Sequence, residues 1–448
     1  MKQNLDLGRE KISRLFISYS IPSVISILGM STFSIIDGII VGQLIGHQAL
    51  ATVNLAMPYL FLSWALGAMV ASGGFAQTTI ELGRENIDLA RSKFTMAATL
   101  IGIIYLVFVI IALVFGDQIA IWSGSSPELA PDVSIYIKII AVFSIFWIGS
   151  IYLDMGVRSM GNPRLSMIVI LLASFLNIVF DLLFVGVFHW GIKGAALASG
   201  MGFILAFLVL LRQYFLPEAK LRFQRFRPHP PTILRIFANG SSEALTNLSL
   251  GITTLLFNLV LMARIGDLGV AAFAIVFYLH DILLASVIGI SSAILPIISY
   301  NFGAGHGSRV TQTLKLSLAI VFIIGVLTIS LIYLATPQLA MLFNRQPDLV
   351  ALTVQAFRWF APCYLFIGIN IIGSAYFTAL GDAVRSAFIA LDRSLLFVLL
   401  GLWLLPMALD INGIWFTVPF AELLTLLFSA PLMYSSSRRL NTIIPQSV

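Results

Sequence analysis

Long apolar runs, separated by short polar or glycine-containing breaks, follow one another along almost the whole chain. A helix needs about 20 consecutive apolar residues to cross a bilayer. Against that length the pattern predicts twelve spans, at 15–45, 50–76, 94–115, 133–156, 165–188, 192–214, 233–263, 269–300, 312–335, 352–378, 386–408 and 413–434. The expected fold class is an all-α integral membrane protein. Residues 1–14 are polar and include Lys2, Arg9, Lys11 and Arg14. The apolar stretch behind them is too long for a signal-peptide core, so it is expected to stay as the first span.

Composition agrees. Of 448 residues, 59% are hydrophobic and only 10% charged. Soluble domains carry roughly a quarter charged residues. A chain this poor in charge cannot cover a globular surface, which excludes soluble enzymes and nucleic-acid binders. The 26 basic residues against 20 acidic ones therefore point to the loops of a membrane protein and not to a nucleic-acid partner. With the N-terminus inside, 21 of the 26 fall in inner loops or inner helix ends; Lys138, Lys193, Arg264, Arg345 and Arg358 do not. The positive-inside rule then puts both termini in the cytoplasm of a multi-pass protein, expected in a bacterial inner (plasma) membrane. The single cysteine, Cys363, lies in an apolar run and reads as a packing residue.

The most basic loop, 215–232, holds Lys220, Arg222, Arg225 and Arg227 and follows the sixth span. It reads as a linker between an N-terminal lobe, 1–214, and a C-terminal lobe, 233–448. Internal similarity supports this division. Ile45, Gly46 and Ala49-Leu50-Ala51 return 220 residues later as Ile265, Gly266 and Gly269-Val270-Ala271. Gly83 returns as Gly303, Met160-Gly161-Asn162 as Leu380-Gly381-Asp382, and Gly191-Ile192 as Gly413-Ile414 at an offset of 222. Six spans per half give both halves the same orientation, so two pseudo-symmetric six-helix bundles with a cavity between them are expected.

No G-x-x-x-x-G-K-[ST] loop, H-E-x-x-H or metal-spaced Cys/His cluster occurs. No cofactor is expected, and any energy should come from an ion gradient. An ionised side chain inside hydrocarbon costs at least about 2.5–3.5 kcal/mol, so intramembrane acids mark function. Asp37, Asp181, Glu243, Asp281 and Glu422 fall within predicted spans. At 1.5 Å per residue Asp37 lies about 34 Å from Arg14 and Asp181 about 25 Å from Arg164, both in the outer half. Asn177 precedes Asp181 by one turn and shares its face. Ser199 reaches a similar depth, and Tyr136 enters span four from the outer side. Two chemistries follow from this oxygen-only set. Two close carboxyls in a low dielectric cannot both ionise cheaply, so one holds an exchangeable proton. Alternatively Asp37, Asn177, Asp181 and Ser199 ligate Na⁺.

At the 220 offset Asp37 falls on Phe257 and Asp181 falls near 401–403, so ion chemistry is expected in the N-terminal lobe only. Glu243, Asp281 and Glu422 remain candidates for a substrate site or a secondary proton site. Pro22, on the same helix as Asp37, lets that helix bend, and ion occupancy at Asp37 would couple to the bend.

Over nearly its whole length the chain resembles the multidrug and toxic compound extrusion (MATE) family. The similarity rests on Ile21-Pro22, Ile36-Asp37-Gly38 and Val41-Gly42 in span one, Asn177 and Asp181 in span five, and Gly194-Ala195-Ala196-Leu197-Ala198-Ser199 in span six. Its most specific stretch is Pro296-Ile297-Ile298-Ser299-Tyr300-Asn301-Phe302-Gly303-Ala304-Gly305, followed by Arg309. The resemblance implies export of amphipathic, often cationic, drugs or toxic metabolites in exchange for H⁺ or Na⁺ by rocking of two lobes, with no enzymatic step. Its DinF-like branch implies a coupling site at Asp37, Asp181, Asn177, Tyr136 and Ser199, where Ser199 replaces the usual threonine. The NorM-like acids of spans seven and ten have no counterpart at Ser249, Leu250 or in 352–377. The expected partners are small molecules and the lipid bilayer, with the protein a monomer. The rival reading is a flippase for lipid-linked oligosaccharide or peptidoglycan precursors from the same superfamily.

Overall fold

Two long helices open each half of the molecule, and they set the relation between the halves. The computed structural model describes residues 5–343 and 346–443; Lys2 and Arg345, both counted above, lie outside them. The first six spans are α1 (Ile12–Leu44), α2 (His47–Gly83), α3 (Ile87–Trp122), α4 (Ala130–Ser159), α5 (Pro163–Asp181) and α6 (Gly191–Arg212). A π-helical turn, Leu182–Val187, extends α5. Then come α7 (Pro230–Arg264), α8 (Asp267–Gly303), α9 (Gly307–Phe343), α10 (Pro347–Phe360), α11 (Ile367–Leu380), α12 (Ala383–Leu391), α13 (Phe397–Leu409) and α14 (Ile411–Ile443).

Eleven segments are long and apolar enough to cross a membrane, and α10 with α11, bent by 41°, supplies a twelfth span. The predicted twelve spans are therefore present. Span eleven is α12 and α13 joined through a second π-helical turn, Asp392–Leu396. Most loops close in one to three residues. The segment between α6 and α7 is longer and lies along α3, where Arg91 Nε donates to the Lys220 carbonyl and Thr95 Oγ1 accepts from the Gln224 amide.

The repeat is built into the backbone. Gly46 and Gly266 take positive φ (115° and 82°) just before α2 and α8, and Gly161 and Gly381 do so (89° and 76°) before spans five and eleven. Only glycine adopts these turns without strain. The following residues, Asn162 and Asp382, then cap the first turn of α5 and α12 through their side chains.

Spans one to six pack on one another, α7 to α14 do likewise, and the bundles meet through α1 and α2 against α7 and α8. These meeting points are backbone-close. A methyl group on Gly83 would lie 2.0 Å from the Tyr300 carbonyl oxygen, and one on Gly303 would lie 2.0 Å from that of Ile80. The two contacts are images of each other at the 220 offset, so a pseudo-twofold axis passes between them. A methyl group on Gly240 would likewise collide with the Met69 carbonyl oxygen, and one on Gly289 with the Val24 backbone, so both add to the seam. All of these contacts lie in the halves of the helices nearer the basic loops, hereafter the basic face. Towards the other face Gly38 and Gly251 have open space beside them. The close backbone contacts between the bundles thus lie at the basic face.

Gly83→Val should therefore prevent the seam from closing. A cysteine placed in the cleft should then become open to labelling from the basic face, whereas Gly102→Val, where the added atoms meet nothing within 4 Å, should leave it shielded.

Candidate functional site

Asp37 lies seven residues before the end of α1, and Asp181 lies six before the end of the π turn that extends α5. Ser199 is eight residues into α6 and Tyr136 six into α4. At 1.5 Å per residue, all four stand roughly 9–12 Å from the face opposite the basic loops. One level in the N-terminal bundle therefore receives side chains from four helices, as the residue counts suggested.

The structure brings the carboxyls together. Asp37 and Asp181 approach within hydrogen-bonding distance of each other, and Tyr136, 8% exposed, lies close enough to feel both charges. Asn177 Nδ2 donates to Ser199 Oγ at 3.4 Å, which leaves the Asn177 carbonyl oxygen free for another partner. Asp181 is fully buried, yet both of its oxygens lack a protein donor, as does Asp37 Oδ1. Buried acceptors normally have partners. A carboxyl pair in this position needs one proton shared between the groups, or a cation, since otherwise the oxygens repel one another across a low dielectric. No basic side chain supplies that charge in any hydrogen bond or ion pair to the two acids among the described residues. The oxygen-only donor set fits Na⁺ as well as H⁺.

Local backbone structure explains why Asp181 stands apart. It is the last α-helical residue before the π turn, where the ladder shifts register. Such turns recur at functional sites because they re-aim a side chain and free backbone groups. On α1, Pro22 sits inside an unbroken helix. It provides no amide for the Ser18 carbonyl, which weakens the ladder there. Ser26 Oγ donates to the Pro22 carbonyl at 2.9 Å.

The other intramembrane acids are elsewhere. Glu422, 2% exposed, is ion-paired to Arg393 (Nη2 to Oε1, 3.0 Å), and its Oε2 accepts from Asn370 Nδ2 at 2.7 Å. Asn370 in turn accepts from Ser429 Oγ at 2.6 Å. Sequence reading placed Arg393 at an inner helix end. It sits instead in the second π turn, well inside span eleven, and it was missed as the partner of Glu422. Glu243 on α7 lies at the helix surface, near enough to Arg393 to feel its charge. Asp281 on α8 is exposed near Tyr364, whose hydroxyl lies 3.0 Å from His280 Nδ1. Asp392, 3% exposed, has one oxygen without a partner. Glu243, Asp281 and Glu422 thus lie in the other bundle, away from the carboxyl pair.

A family model described as MatE matches residues 22–183 and 244–403, one stretch in each bundle. Multidrug export protein MepA of Staphylococcus aureus (strain MSSA476) is 24% identical over 437 residues, covering 96% of each chain. MepA of Staphylococcus saprophyticus is 25% identical, covering 88% of this chain and 86% of its own. Among solved structures, one described as the outward-facing conformation of a multidrug resistance MATE family transporter superposes with a TM-score of 0.92 at 20% identity, over 99% of both chains. A MATE described as being in the bent conformation gives 0.90 at 20% identity, over 98% of both chains.

Proposed function

This chain belongs to the MatE family and is a membrane transporter, not an enzyme, and from that premise we propose that it exports amphipathic, cationic drugs or toxic metabolites in exchange for H⁺ or Na⁺. One observation carries the coupling half of this reading: in the carboxyl pair of the N-terminal bundle, both oxygens of fully buried Asp181 and Oδ1 of half-buried Asp37 have no protein donor or basic partner among the described residues. Such a pair binds one proton or one monovalent cation, which takes its charge from −2 to −1 and relieves the repulsion between the two groups. Tyr136, Asn177 and Ser199 complete the site. The protein sits in the plasma membrane of a bacterium with both termini cytoplasmic, so the seam at the basic face closes the cytoplasmic side. Cation occupancy at Asp37 changes the pull on α1, which Pro22 allows to bend. The lobes 1–214 and 233–448 then rock about the linker 215–232, as a monomer.

The cargo half of the reading is supported by the MepA relatives, named as multidrug exporters, and by the exposed acids Glu243 and Asp281 on the cleft-forming helices. The flippase alternative calls for uncompensated cations to hold a diphosphate. Buried Arg158 and half-buried Arg393 are instead neutralised by Asp154 and Glu422.

Proteoliposomes with an imposed ΔpH or Na⁺ gradient and ethidium as cargo test the proposal. Uptake should follow one gradient and collapse with it; uptake indifferent to both would sink the coupled reading. Ser199→Ala identifies the ion. It should weaken Na⁺-driven uptake, because a ligand oxygen is lost, and leave H⁺-driven uptake near native, because the carboxyl pair is intact. Ser199→Thr should behave as native in both.

A further inference from the structure

Near the basic face a second polar network ties together the three helices that carry Asp37, Tyr136, Asn177 and Asp181. Arg158, in the last turn of α4, is paired with Asp154 at 2.8 Å. Its Nε donates to Ser166 Oγ on α5 at 2.9 Å, and its Nη1 donates to Ser23 Oγ on α1 at 2.8 Å. Ser166 also donates to Asp154. Tyr19 on α1 donates to the Arg158 carbonyl at 2.8 Å. Arg158 and Asp154 are buried, at 7% and 4% exposure. Tyr19 and Ser23 lie on either side of Pro22.

The C-terminal bundle contains the same network at the 220 offset, without its charges. Asn239 donates to the Thr378 carbonyl at 3.0 Å, the image of Tyr19 on Arg158. Thr378 and Ser386 hydroxyls pair at 2.6 Å, the image of Arg158 on Ser166. Ser374 and Ser386 pair at 3.3 Å, the image of Asp154 and Ser166. Ser242, one position from the image of Ser23, meets Thr378 at 3.2 Å. Hydroxyls thus suffice to pack this junction. A buried ion pair adds little stability over a neutral arrangement of the same shape. What a guanidinium adds is a rigid fork that holds several acceptors at once, and it stands only in the bundle that carries the carboxyl pair.

We infer that Arg158 is a positioning residue for transport: it fixes the part of α1 around Pro22 to α4 and α5, so that only the part beyond Pro22, with Asp37, swings when the carboxyl pair gains or loses its cation. This rests on the coupling role proposed for Asp37 and Asp181. The opposite bundle, with neutral anchors and no carboxyl pair, has no such fixed base to keep.

Spin-label distances in the full-length protein, reconstituted with Cys363→Ala, test it. One pair, Ile39→Cys with Val114→Cys, reports the far part of α1; the other, Ile17→Cys with Leu89→Cys, reports its base. All four positions are exposed, at 50%, 61%, 56% and 40%. In the native background the far distance should shift between low and high pH, or on adding Na⁺, while the base distance stays fixed. In Asp154→Ser with Arg158→Thr, which installs the arrangement of the other bundle, the base distance should shift as well. Gradient-driven ethidium uptake should then fall roughly 2- to 30-fold, with ethidium binding retained. Arg158→Lys keeps the charge without the fork and should show a smaller movement of the base; it serves as the test if the double variant does not fold. A base distance that stays fixed in the variants overturns the inference, whatever happens to uptake. A far distance in the native background that responds to neither ion removes the coupling reading, and this inference with it.

Discussion

Asp181→Asn is expected to reduce gradient-driven export to background while the protein stays folded and still binds cargo. The substitution keeps the shape of a fully buried side chain but removes the exchangeable proton and the anionic ligand. Asp37→Asn should do the same. Because the two carboxyls act as one acceptor, the double variant should lose no more than either single variant. Thermal stability in detergent should be unchanged or higher, since each substitution removes a like-charge contact that no basic group offsets. Transport assays and melting curves on the same preparations separate these effects. A single variant with half of native transport would mean that the second carboxyl works alone.

The second large effect lies in the other bundle and concerns stability. Arg393→Ala leaves Glu422, 2% exposed, without its ion-pair partner inside span twelve. Breaking one side of a buried pair typically costs about 3–5 kcal/mol. Arg393→Ala should therefore lower the melting temperature sharply. Arg393→Met with Glu422→Gln should recover most of the loss, because the new amide oxygen still accepts from Asn370 and no charge is stranded. A double variant as unstable as Arg393→Ala would show that the pair does more than neutralise itself.

Much of this was legible in the chain. Twelve apolar runs gave twelve spans because the length requirement of a bilayer is absolute, and counting residues from Arg14 and Arg164 put Asp37 and Asp181 at one level. The glycine turns at Gly46 and Gly266 carried the repeat because few other residues tolerate that backbone. Contacts between distant helices were less readable. Arg393 read as an inner helix-end residue, since nothing in its neighbours announces a π turn or the approach of Glu422 from α14. The Arg158 network was invisible for the same reason: Tyr19, Ser23, Asp154 and Ser166 are ordinary residues until α1, α4 and α5 pack. The π turn after Asp181 left no signal in the run Leu182-Leu183-Phe184-Val185, although it aims the side chain on which the site depends.

The proposed coupled export requires counter-movement of an ion, and the proposed site for it is the carboxyl pair. Proteoliposomes holding a pH dye or ²²Na⁺ are given a pulse of ethidium with no imposed ion gradient, and the ion flux that cargo movement drives is recorded. The native protein should move H⁺ or Na⁺ opposite to ethidium, and Asp37→Asn with Asp181→Asn should move neither. The same counter-flux in that double variant would contradict the assignment.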